Sequence, residues 1–339
     1  GPFRFVCQNT SSGQTSFYSA GQTPQYALKP NPYYYGAKPK VQLQLPAISL
    51  IDTNYREYLA GNVDTSFVPT PFLSKWINKS SEYLGYPTSI VTYLTPNTKS
   101  PPFSDVHCRL AVAYGIDRQT IVNRILHGSV RADYVVLPYG YLGYYNGSKS
   151  EPHYDPQIAR RELSRCAYRL QPVSLTFPNT SSDATNTYTA IASMLNQIGF
   201  NVTPKAVTAN DWVSVVSEPL SKSNTQIVRN GWQQDYPDPQ DYAGLLLHTG
   251  AQNNIGGWSN ASYDRLVDRA ALESNRAQRA ALYRQAQHIA LSQGAWISLF
   301  NTVGHQLVKP YVHGLVGTSA YGDLVPRNYD WSQVSISKH

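Results

Sequence analysis

Apolar residues recur with two different periods along this chain, and the change of period divides it. The first hundred residues are rich in turns and short extended segments. Val41-Gln42-Leu43-Gln44-Leu45 alternates apolar and polar positions, as a half-buried strand does. Tyr55 to Leu59 fits a short helix that ends near Gly61. Lys29-Pro30-Asn31-Pro32 cannot continue a helix, because proline lacks the amide hydrogen and restricts the residue before it. Asn97 to Pro102 is polar and proline-containing and reads as a crossover linker.

Beyond residue 100, helical and extended patterns alternate. Ser104 is placed to cap a helix carrying Val106, Leu110 and Ala113 on one face. Asp117 caps another with Ile121, Val122 and Ile125, closed by Gly128. Asp155-Pro156 supplies a cap followed by proline at the first helical position, where the missing amide hydrogen costs nothing. Asp183 precedes Tyr188, Ile191, Leu195 and Ile198 at helical spacing, with Gly199 as the stop. Strands are expected over 173–177, 201–207, 226–229 and 296–300, and helices near 262–272 and 277–292, the last with Leu282, Ala286 and Ile289 inward. Strands alternating with helices predict an α/β layered sheet.

Composition narrows the class. The 339 residues suit one large or two medium domains with a substantial core. Only 14% are charged, so the polar surface falls to Ser, Thr, Asn, Gln and 26 Tyr. The net charge of +7 is mild and spread out. Its one concentration, Arg160, Arg161, Arg165 and Arg169, reads as a solvated helix face rather than a nucleic-acid patch. No apolar run approaches the ~20 residues of a membrane-spanning helix. The opening Gly1-Pro2-Phe3 lacks Met and an apolar leader, which reads as a mature, cut or incomplete product. Cys7, Cys108 and Cys166 lack metal-site spacing and permit at most one bridge.

Catalytic signatures are missing. The eight histidines never pair at metal-ligand spacing, and H-E-x-x-H, G-x-S-x-G, G-x-G-x-x-G and the phosphate loop are absent from the sequence. Asp235, Asp238 and Asp241 cluster, but their spacing through two prolines suggests a loop rather than a catalytic pair.

The informative segment is Arg229-Asn230-Gly231-Trp232-Gln233-Gln234-Asp235-Tyr236-Pro237-Asp238-Pro239, in which a short strand runs into an acidic turn. Gly231 leaves the backbone open to close approach. Trp232 offers a flat apolar wall, and Asp235 an acceptor for a cationic or hydroxylated ligand. Open α/β sheets bind ligands at the carboxyl ends of their strands. Equally, Trp232 fits a core aromatic and Asp235 a cap for the next turn. Tyr139-Gly140-Tyr141-Leu142-Gly143-Tyr144-Tyr145 fits either a pocket wall, with Tyr141 facing a ligand, or a surface loop. Tyr33-Tyr34-Tyr35 reads as a structural turn.

With these residues in view, the chain resembles the family 5 extracellular solute-binding proteins, the dipeptide-, oligopeptide- and nickel-type receptors of ABC importers. Pro30-Asn31-Pro32-Tyr33 through Val41, Ala60-Gly61-Asn62-Val63-Asp64, and Pro101 through Arg109, Ala111 and Tyr114 to Ile116-Asp117-Arg118 follow the family's order. Gly231-Trp232 to Pro239, Trp258 to Asp264 and Leu307 to Gly314 complete the series. His107 stands where the family often has arginine, and Gly115 where it often has alanine.

The resemblance implies an α/β, two-lobed type II periplasmic-binding fold closing on a ligand. Residues 1–96 and 301–339 would form a partial first lobe and 97–300 a complete second. It also implies that a large N-terminal portion, with a subsidiary domain and a ligand-facing strand, lies outside this chain. In the peptide-binding branch, the position of Asp235 takes the ligand's α-amino group and that of Arg229 helps hold its carboxylate. The ligand set implied is Asp235, Trp232, Arg229, Gly231, Tyr236 and Tyr141, without metal, cofactor or catalysis. The implied partners are a small peptide or other solute, a membrane permease and the chain's own N-terminal segment, with no nucleic acid. The implied location is extracytoplasmic, membrane-anchored at full length. An oligosaccharide receptor of the same fold is the alternative, and a secreted carbohydrate hydrolase using Asp235 and Asp238 comes from a different class.

Overall fold

The structure is a computed structural model and describes residues 1–5, 25–46, 51–77, 81–315 and 331–337. Cys7 lies outside the described residues. The chain resolves into two compact units. Of the described residues, one holds those up to Tyr86 together with 304–315 and 331–337; the other holds 87–303.

In the first unit, strands β1 (Phe3–Phe5), β2 (Gln25–Pro30) and β3 (Leu43–Pro46) form an antiparallel sheet with β2 central. Pro30-Asn31-Pro32 closes the β2 end as a turn. The Asn31 side chain accepts from the Tyr33 amide at 3.0 Å, and the Asn31 backbone amide donates to the Pro2 carbonyl at 2.8 Å. Tyr33 and Tyr35 are left exposed. Helix α1 (Ile51–Ala60) buries Tyr55 and Tyr58 and stops at Gly61, whose φ of 83° suits glycine. Strand β4 (Thr65–Phe67) and helix α2 (Leu73–Trp76) follow, and Leu73, Val68 and Leu307 join the two tyrosines in a small core.

The second unit is a sheet with helices on both faces. Its strands are β5 (Tyr83–Pro96), β6 (Val130–Ala132), β7 (Pro172–Pro178), β8 (Asn201–Val207), β9 (Ile227–Trp232) and β10 (Ile297–Val308). They run in the order β10-β5-β9-β7-β8, with β6 beside β10. The β7 pairings are parallel and β5–β9 is antiparallel. Strands β5 and β10 cross the boundaries between the units, and the ends of β10 and β4 pair antiparallel in the first.

The helices are α3 (Val106–Gly115), α4 (Arg118–Arg124), α5 (Pro156–Arg165), α6 (Ser182–Gln197), α7 (Ala209–Val216), α8 (Gln240–Leu247), α9 (Ala261–Leu272) and α10 (Arg276–Ser292). Leu94, Leu175, Phe177 and Ile227 pack on α3 to α6 in one core, whereas Val91 and Tyr93 pack on α8 to α10 in the other. Side chains alternate along a strand, so each central strand feeds both cores.

Most helix starts fall where the sequence expects them. Asp117, Asp155 and Asn260 each accept from first-turn amides. One cap differs. Asp105, not Ser104, caps α3, accepting from the His107 amide at 2.8 Å. Ser181 caps α6, which places Asp183 in its first turn. Gly115 lies against Leu195 and Ile198, where an added Cβ would come within 2.9 Å of both side chains. The arginine run at 160–169 is exposed, as a solvated face should be.

Cys108 on α3 and Cys166 at the C-cap of α5 form a buried disulfide with Cα atoms 4.9 Å apart. Asp105 ties the same two elements, since its second oxygen accepts from the Ala167 amide at 2.9 Å. The bridge closes a loop of 58 residues. A loop of that size should constrain the unfolded chain by on the order of 4 kcal/mol in the chain-entropy account. Cys108→Ala/Cys166→Ala is therefore expected to lower the stability of the second unit by about 2–4 kcal/mol. Urea titration of the variant beside wild type, with and without reductant, measures this; a reductant-insensitive wild type with the variant's midpoint unchanged would refute it.

Candidate functional site

The site grows from the end of β9. Arg229 pairs with Leu94, Asn230 with Tyr93, Gly231 with Thr92 and Trp232 with Val91 across the antiparallel partner β5. Strand alternation puts Ile227, Arg229 and Gly231 on the face of the first core, and Asn230 and Trp232 on the face of the second. Arg229 and Trp232 thus point to opposite sides of the sheet. The Arg229 guanidinium folds back over Gly231, where an added Cβ would stand 3.3 Å from Nη2 and 3.2 Å from the Val91 carbonyl. It lies near the buried Tyr188 hydroxyl on α6, where its positive charge opposes the rise that burial gives that group's pKa. Among the described residues no carboxylate lies within ion-pair distance of it.

Beyond Trp232 the chain turns through Gln233 to Pro239 into α8. The three aspartates of this turn have three different environments. Asp238 accepts both Arg279 guanidinium nitrogens, at 2.8 and 2.9 Å, and also the Gln240 amide at 2.9 Å. The bond to Asp238 raises the Arg279 pKa further. Asp241 is fully buried in the first turn of α8, and its Oδ2 accepts from the Trp232 indole at 2.8 Å and the Asp235 amide at 3.2 Å. Burial raises the Asp241 pKa; the two donated bonds oppose this, and the negative charges of Asp235 and Asp238 add to it. Asp235 is exposed, and its carboxylate has no partner among the described residues. Tyr236 is 40% exposed and donates its hydroxyl to the Gln240 side chain.

The expected residues therefore separate. Gly231, Trp232, Asp235 and Tyr236 share one strand end and turn. Arg229 is on the same strand but the other face. Tyr141 is buried in the second core, its ring edge-on to Tyr242 at 5.3 Å. The segment around it is irregular, as a loop should be, but most of its tyrosines are tucked into that core rather than spread on the surface. Asp235 does not cap the next helix; the side chain that accepts an amide at its start is Asp238, and Trp232 is only partly buried. Asp241 was legible merely as one member of an acidic loop. In the structure it is helical, and the one signal for this was Pro239 followed by Tyr242, Leu245 and Leu246 at helical spacing.

Among the described residues, the side chains brought within metal-ligand reach of one another are Asp105, Cys108 and Cys166. Both sulfurs there are joined in the disulfide, and both Asp105 oxygens accept amide bonds. The chemistry of this donor set is structural. At the β9 turn, both Asp238 oxygens are taken by Arg279, which unsuits Asp238 to deliver a proton as the acid of a glycosidase pair.

The Asp238–Arg279 pair holds the turn to α10. Both side chains are mostly buried and the geometry is bidentate. Asp238→Ala strands a guanidinium and frees the Gln240 amide, so a loss of roughly 1–3 kcal/mol is expected. Arg279→Ala should cost a similar amount and the double variant less than the sum, which a double-mutant cycle by thermal or urea unfolding will show. Strict additivity would deny the coupling.

Comparison with known proteins places this geometry in context. The chain matches the family described as bacterial extracellular solute-binding proteins, family 5 middle, over residues 1–254. It is 26% identical over 321 residues to the probable D,D-dipeptide-binding periplasmic protein DdpA of Escherichia coli, covering 92% of this chain and 61% of that protein. It is 27% identical over 329 residues to heme-binding protein A of Haemophilus influenzae, covering 93% of this chain and 56% of that one. Among solved structures, the unliganded open form of the murein tripeptide-binding protein MppA superposes with a TM-score of 0.78 at 21% identity, over 93% of this chain and 61% of that chain. The chain thus spans about three-fifths of the length of these relatives. Its mixed α/β fold is that of the type II periplasmic-binding proteins. With three-quarters of its length matched, the chain belongs to the family 5 bacterial extracellular solute-binding proteins.

Proposed function

We propose that this chain is the ligand-holding part of a receptor that hands a peptide-like solute to a membrane ABC importer, with Asp235 as the fixed anion for the ligand's α-ammonium group. The observation that carries the reading is the Asp235 carboxylate, exposed and unpartnered among the described residues, at a strand end beside the indole of Trp232. A free peptide amine is a cation, and a carboxylate in place before binding costs no reorganisation when the ligand arrives. Trp232 and Tyr236 supply apolar surface around it, and Gly231 keeps the backbone approachable. Arg229 points to the other face of the strand from Trp232, so it is a second contact rather than the anchor.

Two relatives support the substrate class, since their names give dipeptide and tripeptide binding. The family consists of binding proteins, and the engagement of Asp238 with Arg279 suits a receptor without catalysis. A buried disulfide suits an oxidising, extracytoplasmic compartment. A permease partner and a membrane anchor complete the reading.

The test is calorimetric titration of the protein with a tripeptide of small residues and with its N-acetylated form. Removing one partner of a desolvated charge pair should weaken binding by roughly 30- to 4,000-fold. Asp235→Asn should bind the free peptide that much more weakly while its unfolding midpoint stays in place. Acetylation should reproduce the defect in wild type and add little in the variant. Trp232→Ala should weaken both peptides alike through lost packing. If neither acetylation nor Asp235→Asn changes the affinity, the α-amino assignment is wrong and an oligosaccharide ligand takes its place.

A further inference from the structure

Asp241 is the group that the proposed ligand contacts leave unexplained. A carboxylate that is 0% exposed is costly unless it accepts bonds from everything around it. Here Oδ2 accepts two donors, while Oδ1 is buried and accepts none among the described residues. A core position chosen for stability alone would carry an apolar residue. The two donors are the side chain of Trp232 and the backbone of Asp235, both among the residues the proposed ligand would touch. They are separated by Gln233 and Gln234 in a turn whose other tether, Asp238, lies three residues further on.

We propose that Asp241 is the positioning residue of this site: one buried carboxylate oxygen clamps the Trp232 indole and the Asp235 amide together and so sets where Asp235 presents its charge. The inference rests on the peptide-amine reading only for what the turn is positioned to hold; the clamp itself stands on the two hydrogen bonds. Without it, the Trp232 indole loses its hydrogen-bond acceptor and the 233–235 backbone loses the tie that Asp241 gives it to α8. Asp235 would then remain chemically intact but pay an ordering cost at each binding event. Burial also marks Asp241 by a titration above the ordinary carboxylate range. The titratable groups on the surrounding elements are Asp235, Tyr236 and Asp238 in the turn, Arg279 and Tyr283 on α10 and Tyr263 on α9. Arg279 is taken up by Asp238, so no free cation among them offsets the burial of Asp241.

The experiment has two readouts on the 339-residue chain. The first needs no ligand. The Trp232 indole N–H and the Asp235 amide resonances, assigned with Trp232→Phe and Asp235→Asn, are followed against pH. Because both donate to one oxygen, they should shift together with a single midpoint above the ordinary carboxylate range, and Asp241→Asn should abolish that shared titration. Separate midpoints, or a shared one that survives Asp241→Asn, would overturn the clamp. The second readout is the ratio of affinities for the free and the N-acetylated tripeptide. Asp241→Leu removes the acceptor at similar size and should bring that ratio from roughly 30-fold or more to within about threefold. Asp241→Asn keeps one acceptor oxygen and should retain a ratio of roughly tenfold or more. Wild-type discrimination in a folded Asp241→Leu would overturn the positioning role. Should Asp241→Leu fail to fold, the affinity ratio of Asp241→Asn and the shared titration decide between the outcomes. If wild type itself binds both peptides equally, the α-amino reading falls, and the resonances still decide the clamp.

Discussion

Strand β9 is held between β5 and β7 in the middle of the sheet, and the site follows from that constraint. Ile227 enters one core, Trp232 packs against the other and Val228 sits in a small third cluster, while Arg229, Asn230 and Gly231 are half-buried. Burial falls off from Ile227 and Val228 toward Trp232, so polar groups come near the surface as the strand ends. There the chain carries a large aromatic with a polar edge, Trp232, and a run of backbone amides that must find acceptors as they leave the ladder. One acceptor deep in the next helix, Asp241, takes the indole and the Asp235 amide. What then emerges at the surface is the Asp235 carboxylate. The exposed group is defined by the buried one.

The residues that make the chain recognisable are mostly fasteners. Arg109 and Arg118 are buried and spend their guanidinium hydrogens on backbone carbonyls, including Phe103, Gln293, Ala113 and Ser298. Burial pulls both down to about 10, still charged at neutral pH. Asp64 accepts the Tyr311 hydroxyl at 2.8 Å, and its carbonyl takes the Lys309 amide. This joins the Gly-Asn-Val-Asp step to the Val-Lys-Pro-Tyr stretch, motifs some 250 residues apart in sequence. Asn260 caps α9, and Tyr263 reaches the Ala243 carbonyl. Such residues satisfy carbonyls at the ends of helices and strands, where no ladder continues. They specify the scaffold and are silent about the ligand, which is why a resemblance carried by them identifies the fold more sharply than the solute.

What was legible in the sequence was what is decided locally. Period-2 and period-3.6 patterns located β7, β8, α6, α9 and α10 almost to the residue, because apolar spacing and caps act within one or two turns. The misplaced α3 cap shows the limit. Ser104 and Asp105 are both good caps, and the choice fell to Asp105 because its second oxygen reaches Ala167 beyond α5. The same limit hid the role of Asp241. Nothing in Pro239-Gln240-Asp241 announces that a tryptophan nine residues earlier will bend back to it. Tyr141 shows the same limit from the other side. Glycine and tyrosine in alternation read as an exposed loop or a pocket wall, but edge-on packing with Tyr242 draws the ring inward.

Three aspartates within seven residues thus divide three tasks by environment rather than by type. A charged partner fixes Asp238, and its carboxylate becomes a strut between the turn and α10. Removal from water raises the Asp241 pKa, and its oxygen becomes a hinge pin for two donors. Asp235 keeps its water and gains no partner among the described residues, so it alone retains an unspent charge. Exchanging any two of these environments would destroy the arrangement without altering the composition of the loop. A guanidinium at Asp235 would neutralise the one unpaired carboxylate among these three, and an exposed Asp241 could no longer bind the indole against competing solvent. The chemistry available at the end of β9 is therefore a property of burial and pairing, laid over a sequence in which all three side chains are identical.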